Sequence, residues 1–149
     1  MDMILADRPG AGASGLRLAV TPSPAGIGEA QPTLRACLEA NGVAASLIVR
    51  VELVFEEVVM NISMHGFDDP QVQTISVAIA CGPAMAELTF EDRGRPFDPV
   101  ATAPRPMDET FDEDRPGGLG LRLIQQMATS LAYERLPEGI NRLRAVFRD

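Results

Sequence analysis

The sequence predicts an α+β protein. The expected form is a two-layer sandwich, with a mixed, mostly antiparallel sheet carrying about three helices on one face. Two observations lead there. Apolar residues alternate in two neighbouring pairs of short segments, "TISVAIA" with "AELTFED" and "LAYERL" with "RLRAVF", and each pair reads as a hairpin. Three further segments have helical character, which orders the chain as β-α-α-β-β-loop-α-β-β. At 149 residues and 46% hydrophobic content the chain is sized for one domain with one core, and no internal repeat is visible.

The elements follow in order. Met1 to Ser14, rich in Gly and Ala, reads as a flexible N-terminal segment, leaving 15–149 as the domain. "LRLAV" from Leu16 alternates as a first strand, and "TPSPAG" reads as a turn. A helix is expected from about Glu29 to Ala40, with Pro32 in its first turn and Asn41-Gly42 as its stop. A second, longer helix is expected from about Ala45 to His65, ended by Gly66 and "DDP". In the first hairpin Ile75, Val77 and Ile79 share one face, as do Leu88 and Phe90. Arg93 to Gly118 has no periodicity, holds four prolines after Phe97 and is acidic from Asp108 to Asp114; such a stretch inside a compact domain reads as a functional lid. A third helix is expected from about Leu119 to Thr129. In the closing strand Leu143, Ala145 and Phe147 face in and the arginines face out.

Composition excludes several chemistries. The net charge of −8 argues against direct nucleic-acid binding. All 13 basic residues are arginine, so the lysines of a Walker-type P-loop, a eukaryotic-type protein kinase and a pyridoxal enzyme are all missing. An anionic ligand must then be held by backbone N–H groups, arginine or a metal ion. With one histidine and two cysteines no zinc site assembles at standard spacing, and Cys37 and Cys81 read as buried, reduced thiols. No apolar run is long enough for a membrane span and no signal peptide is evident, so no membrane contact and a cytoplasmic location are expected.

The second helix carries the polar residues that a core helix should not need. At about 100° per residue, Leu47, Val51, Val54, Phe55, Val58 and Ile62 form an apolar stripe, while Glu52, Glu56 and Ser63 point to solvent. Glu57, Asn61 and His65 are spaced i, i+4, i+8 along the edge of the stripe. Glu57 stands about 40° from Asn61 and Glu56 about 140° away. Two more stretches belong with this one. "FEDRGRPFDP" ends a strand at Asp92 beside Gly94, a carboxylate able to accept from an exocyclic amine. "PGGLGLRLIQQMA" runs a glycine-rich turn straight into a helix, whose free N–H groups make an anion site.

In this order, with a lid between the last two, the three stretches resemble the N, G1 and G2 boxes of the Bergerat-type ATPase fold shared by gyrase, MutL and the histidine kinases (the GHKL superfamily). "EEVVMNISMHGF", "DRGRPFDP" and "GGLGLRLI" are most similar to anti-sigma-factor serine/threonine kinases of the RsbW/SpoIIAB type, over roughly Leu16 to Phe147. The resemblance implies ATP and Mg²⁺ as cofactors. It implies Asn61 as the Mg²⁺ ligand, Glu57 as general base, Asp92 as acceptor of the adenine amino group and Gly94 as the residue letting the base approach. Gly117, Gly118 and Gly120 would cradle the phosphates. His65 matches the histidine of many relatives without a role attached. Arg95-Pro96 departs from the wider superfamily, where many members have a second glycine.

The implied activity is phosphorylation of a STAS-type anti-anti-sigma partner, together with sequestration of a sigma factor or similar regulator. Homodimerisation is implied by the resemblance alone. The alternative is a nucleotide-responsive partner-switching module with little or no kinase activity. A histidine-kinase catalytic domain fits less well, because the only histidine lies inside the N box.

Overall fold

The computed structural model describes residues 14–102 and 119–149. The elements appear in the expected order: β1 (Ser14–Val20), α1 (Pro24–Ala40), α2 (Ala45–Asn61), β2 (Ile75–Gly82), β3 (Met85–Asp92), α3 (Leu119–Met127), β4 (Ser130–Arg135) and β5 (Asn141–Arg148). A π-helical turn, Ile62–Gly66, and a 3₁₀ turn, Pro70–Val72, lie between α2 and β2. The N-terminal segment, apart from Ser14, and most of the expected lid lie outside the described residues.

The strands form one sheet in the order β1-β2-β3-β5-β4, and every pairing is antiparallel. The mixed component expected from sequence is therefore absent among the described strands. The register stacks the inward-facing residues in rows. Leu18, Val77, Phe90, Leu143 and Tyr133 form one row across all five strands. Leu16, Ile79, Leu88, Ala145 and Leu131 form the next. The helices cover this face, with Leu34 and Leu38 of α1, Leu47, Val51, Val54 and Phe55 of α2, and Leu121 and Ile124 of α3 all buried. Phe55 stacks on Phe90 with ring centroids 6.4 Å apart. Burial of aliphatic and aromatic side chains of this kind stabilises by about 1.5–3 kcal/mol each. The outer face holds a charge ladder, Arg17–Glu91–Arg142–Glu134 with Arg144–Glu87 beside it. Exposed pairs like these add little stability but keep the open face solvated.

Four local expectations need correction. Helix α1 begins at Pro24, not Glu29, because Ser23 caps it: its hydroxyl accepts from the Gly26 N–H at 3.0 Å, with Pro24 at the first helical position. Pro32 consequently lies inside the helix. Regular α-helix in α2 stops at Asn61, and the last expected turn widens into the π turn. Glu52 is not in solvent. Its side chain is 16% exposed and pairs with Arg35 of α1, a neighbour that a single-helix wheel cannot show. Finally, Cys81 is buried but Cys37 is only partly so; both are free thiols.

Arg50 fastens α2 to the far end of α3. Its Nε donates to the Met127 carbonyl at 2.9 Å, Nη1 to the Arg148 carbonyl at 3.1 Å and Nη2 to Thr129 Oγ1 at 3.1 Å. Its guanidinium also lies over the Phe147 ring, 5.9 Å from the centroid. Met127 ends α3, so one of these bonds satisfies a carbonyl left open by the helix terminus. A lysine cannot supply this three-way fork. Arg50→Lys should therefore lower unfolding free energy by about 1–2 kcal/mol, nearly as much as Arg50→Ala. Chemical denaturation of the two variants checks this; a lysine variant as stable as the parent would contradict it.

Candidate nucleotide site

One pocket opens between the end of α2, the loop after β3, and the β5–β4 edge of the sheet. Val58, Phe90, Phe97, Ile124 and Leu143 supply apolar walls, and Asn61, His65, Asp92, Tyr133 and Asn141 supply polar groups. The structure thus brings together Asn61, His65 and Asp92, three residues that sequence separated by up to 31 positions. Small-molecule sites usually combine such apolar walls with a few convergent polar groups.

The inward alternation of β3, Ala86-Leu88-Phe90-Asp92, carries Asp92 to the pocket as its last member. Opposite it in the β3–β5 register stands Asn141, the first member of the inward set of β5. Asn141 is the only buried polar residue among the described ones, at 5% exposure. Its Nδ2 donates to Asp92 Oδ1 at 2.9 Å and to the carbonyls of Gly94 at 3.0 Å and Arg95 at 3.2 Å. Its Oδ1 accepts from the Tyr133 hydroxyl at 2.6 Å and from Arg135 Nη1 at 2.9 Å. Asp92 Oδ1 also accepts the Gly94 N–H at 2.8 Å. Asp92 Oδ2 has no donor among the described residues. Burial pushes the Asp92 carboxyl above its ordinary range, while the Asn141 and Gly94 donors and the nearby Arg135 charge oppose that shift. The result is one satisfied oxygen and one open acceptor in a half-buried wall.

Gly94 has a tighter steric reason than ligand approach. A Cβ there would stand 2.7 Å from the Gly66 carbonyl oxygen and 3.0 Å from Asp92 Oδ1. The loop after β3 is held against the π turn at this point, with the Arg95 N–H donating to the Gly66 carbonyl at 2.9 Å and Arg95 paired with Asp68. The π turn itself bears His65 and follows directly on Asn61; such widened turns recur at functional sites. His65 faces Phe97 with ring centroids 6.4 Å apart.

The two adjacent glutamates separate as the wheel requires, with Glu56 exposed and Glu57 half-buried. Glu57 does not line the pocket wall. Its carboxylate abuts Gly120 in the first turn of α3, where any Cβ would collide with Glu57 Oε2. Glu57 has no hydrogen bond or ion pair among the described residues, and burial followed by the charge of Glu56 raises its carboxyl above the ordinary range. Gly117 and Gly118 lie outside the described residues, so of the three expected phosphate-cradling glycines only Gly120 can be placed. The stem of the expected lid is anchored to α3, Gln125 Nε2 donating to the carbonyls of Pro99 at 2.7 Å and Thr102 at 3.0 Å.

Sequence reasoning missed Asn141, Tyr133 and Arg135. A signal for Asn141 was present: it continues, by steps of two, the inward series Leu143, Ala145 and Phe147. Its hydrogen-bond partners come from β3, β4 and the loop after β3, which strand alternation alone does not bring together.

Comparisons with known proteins bear on the fold and the family. Residues 20–147 match the family model described as the histidine kinase-like ATPase domain. A serine/threonine-protein kinase, BtrW of Bordetella bronchiseptica, is 29% identical over 92 residues, a match spanning 62% of this chain and 65% of that relative. Among solved structures, the RsbU and RsbW domains of a Mycobacterium tuberculosis protein superpose with a TM-score of 0.62 at 18% identity, over 90% of this chain and 32% of that one. The SiaB–SiaC complex of Pseudomonas aeruginosa contains a chain with the same TM-score of 0.62 at 22% identity, over 89% of this chain and 88% of that one. At those identities the two structures speak for the fold. Among the described residues no helix is long and apolar enough to cross a membrane. With the family model covering most of its length, the chain belongs to the histidine kinase-like ATPase domain family.

Proposed function

We propose that this chain is an ATP·Mg²⁺-dependent serine/threonine protein kinase that acts by partner switching. Its substrate would be a STAS-type anti-anti-sigma protein, and its second partner a sigma factor or similar regulator. The observation that carries this reading is a pocket lined by both Asp92, whose Oδ2 has no donor among the described residues, and Asn61, whose amide has no partner among them. A base offering an exocyclic amine satisfies the first, and a phosphate-bound cation the second. Family membership and a kinase among the relatives support the same activity. The partner class draws support from similarity to a chain solved in a complex and to a domain named RsbW.

The chain's own groups divide the work. Asp92 orients the base, and the apolar walls exclude water from it. Mg²⁺ fits as an ion arriving with the nucleotide, because the Asn61 amide oxygen is a hard donor and His, Cys, Asp and Glu make no cluster of three able to hold a metal among the described residues. When bound, it neutralises phosphate charge that no lysine here can meet. Glu57 takes the proton of the attacking hydroxyl, its raised basicity suiting that role.

One observation favours the alternative, a nucleotide-responsive binding module without phosphotransfer. Glu57 lies against Gly120 and off the pocket wall. For the kinase reading to hold, ligand binding must bring the Glu57 carboxylate to the phosphates.

Two experiments follow. Saturating ATP·Mg²⁺, at 100 times its dissociation constant, should stabilise the fold by about 2.7 kcal/mol, read as a raised melting temperature. An unmoved melt would sink the nucleotide reading under either alternative. The second compares four variants for nucleotide affinity and phosphotransfer from labelled ATP. Glu57→Ala should bind ATP but lose phosphotransfer by about 10²-fold or more. Asn61→Ala should lose the Mg²⁺-dependent part of binding. Glu56→Ala, an exposed change, should alter stability by less than about 0.5 kcal/mol and leave transfer intact. Gly120→Ala should fold at least as well as the parent, because alanine favours helix by roughly 0.5–1 kcal/mol, yet it displaces Glu57 and should slow transfer. Intact transfer in Glu57→Ala would overturn the base assignment; no transfer by the parent, with binding retained, would establish the module reading.

A further inference from the structure

We propose that Asn141 is a positioning residue for base recognition: it ties Asp92 Oδ1 and the loop after β3 to β4, so that Asp92 Oδ2 alone is presented to the ligand. This deepens the nucleotide reading above and rests on it.

The hydrogen-bond arithmetic leaves the amide no freedom. Arg135 can only donate, so the Asn141 oxygen must face it, and the Tyr133 hydroxyl fills the second lone pair. The nitrogen is thereby aimed at three acceptors: Asp92 Oδ1 and the carbonyls of Gly94 and Arg95. A residue this buried, with every donor and acceptor spent, cannot rotate without stranding several polar groups. Asp92 Oδ1 in turn is committed to Asn141 and the Gly94 N–H. Arg135 reaches the Gly94 carbonyl at 2.8 Å and Asn141 Oδ1, but makes no ion pair with Asp92. Asn141 therefore also acts as a spacer. It passes the influence of the cation to the carboxylate while leaving the outer oxygen open to a neutral N–H donor.

The consequence is a selective one. Losing the Asn141 donor should loosen Asp92 and favour its protonated form, which harms recognition of a base amine and spares recognition of phosphates. Among the described residues, the charged and titratable groups facing Asp92 are Arg135 and Tyr133 on β4, with His65 and Arg95 lining the same pocket from the π turn and the loop after β3. Any pH dependence must be separated from His65.

The experiment compares ATP with purine riboside triphosphate, which lacks only the 6-amino group. Direct binding to the full chain is measured by calorimetry across pH. The affinity ratio cancels the titration of the shared phosphates. The parent should prefer ATP by about tenfold or more, since a site built to bond an N–H discriminates against its absence. Asn141→Leu should bring that ratio close to unity while affinity for purine riboside triphosphate stays within about twofold. Tyr133→Phe, a milder change that unseats Asn141 from one side, should lower the ratio less. It should also move the acid loss of ATP preference to higher pH, because a weakened donor to Asp92 lets burial raise its carboxyl further. This shift should persist in a His65→Gln background. If Asn141→Leu does not fold, Tyr133→Phe carries the test. An equal loss of both nucleotides, an unchanged ratio in the folded variants, or a pH shift that disappears with His65 each overturns the proposal. A parent that binds both nucleotides equally overturns it too, and shows that Asp92 does not read the base. A parent that binds neither removes the nucleotide reading itself.

Discussion

The candidate site depends on one constraint: the antiparallel register that sets Asp92 of β3 opposite Asn141 of β5. Strand alternation delivers both to the inner face at the same end of the sheet, where the helices leave a gap. A one-residue slip of either strand would turn its member of the pair to the outer face and carry that strand's charged residues toward the core. The buried rows of Leu, Val and Phe that fill the sandwich therefore also aim the pocket's carboxylate. Fold stability and ligand geometry share a cause.

Around that pair the chain stores an imbalance. Buried polar groups are normally satisfied, and Asn141 is, completely. Asp92 is satisfied on one oxygen only, and the Asn61 amide and Glu57 carboxylate have no partners among the described residues. Burial raises the carboxyl groups of both Asp92 and Glu57. Half-buried polar groups without partners cost stability, and under the proposed function a bound nucleotide would offset that cost at Asp92 and Asn61. The π turn after Asn61 and the close packing of Gly94 on Gly66 hold this end of the molecule in shape meanwhile.

Much of this was legible in the sequence because local patterns dominate it. Period-two alternation located all five strands, and helical spacing placed Glu57 and Asn61 on the edge of α2 and Glu56 in solvent. The errors share a different origin. "TPSPAG" looks like a turn until Ser23 is recognised as a helix cap with proline behind it. Glu52 reads as solvated because its partner, Arg35, belongs to another helix. The π turn leaves no mark in a hydrophobic pattern. Asn141 was overlooked because its meaning lies in five hydrogen bonds to β3, β4 and the loop after β3. Gly117 and Gly118 fall outside the described residues, so their expected role rests on the resemblance alone.

A crystal structure with Mg²⁺ and a non-hydrolysable ATP analogue would test the central claim most directly. The 6-amino nitrogen should lie within about 2.7–3.2 Å of Asp92 Oδ2, with the Asn141 and Gly94 bonds to Oδ1 intact. A base bound elsewhere, or an Asp92 rotated to use Oδ1, would contradict it.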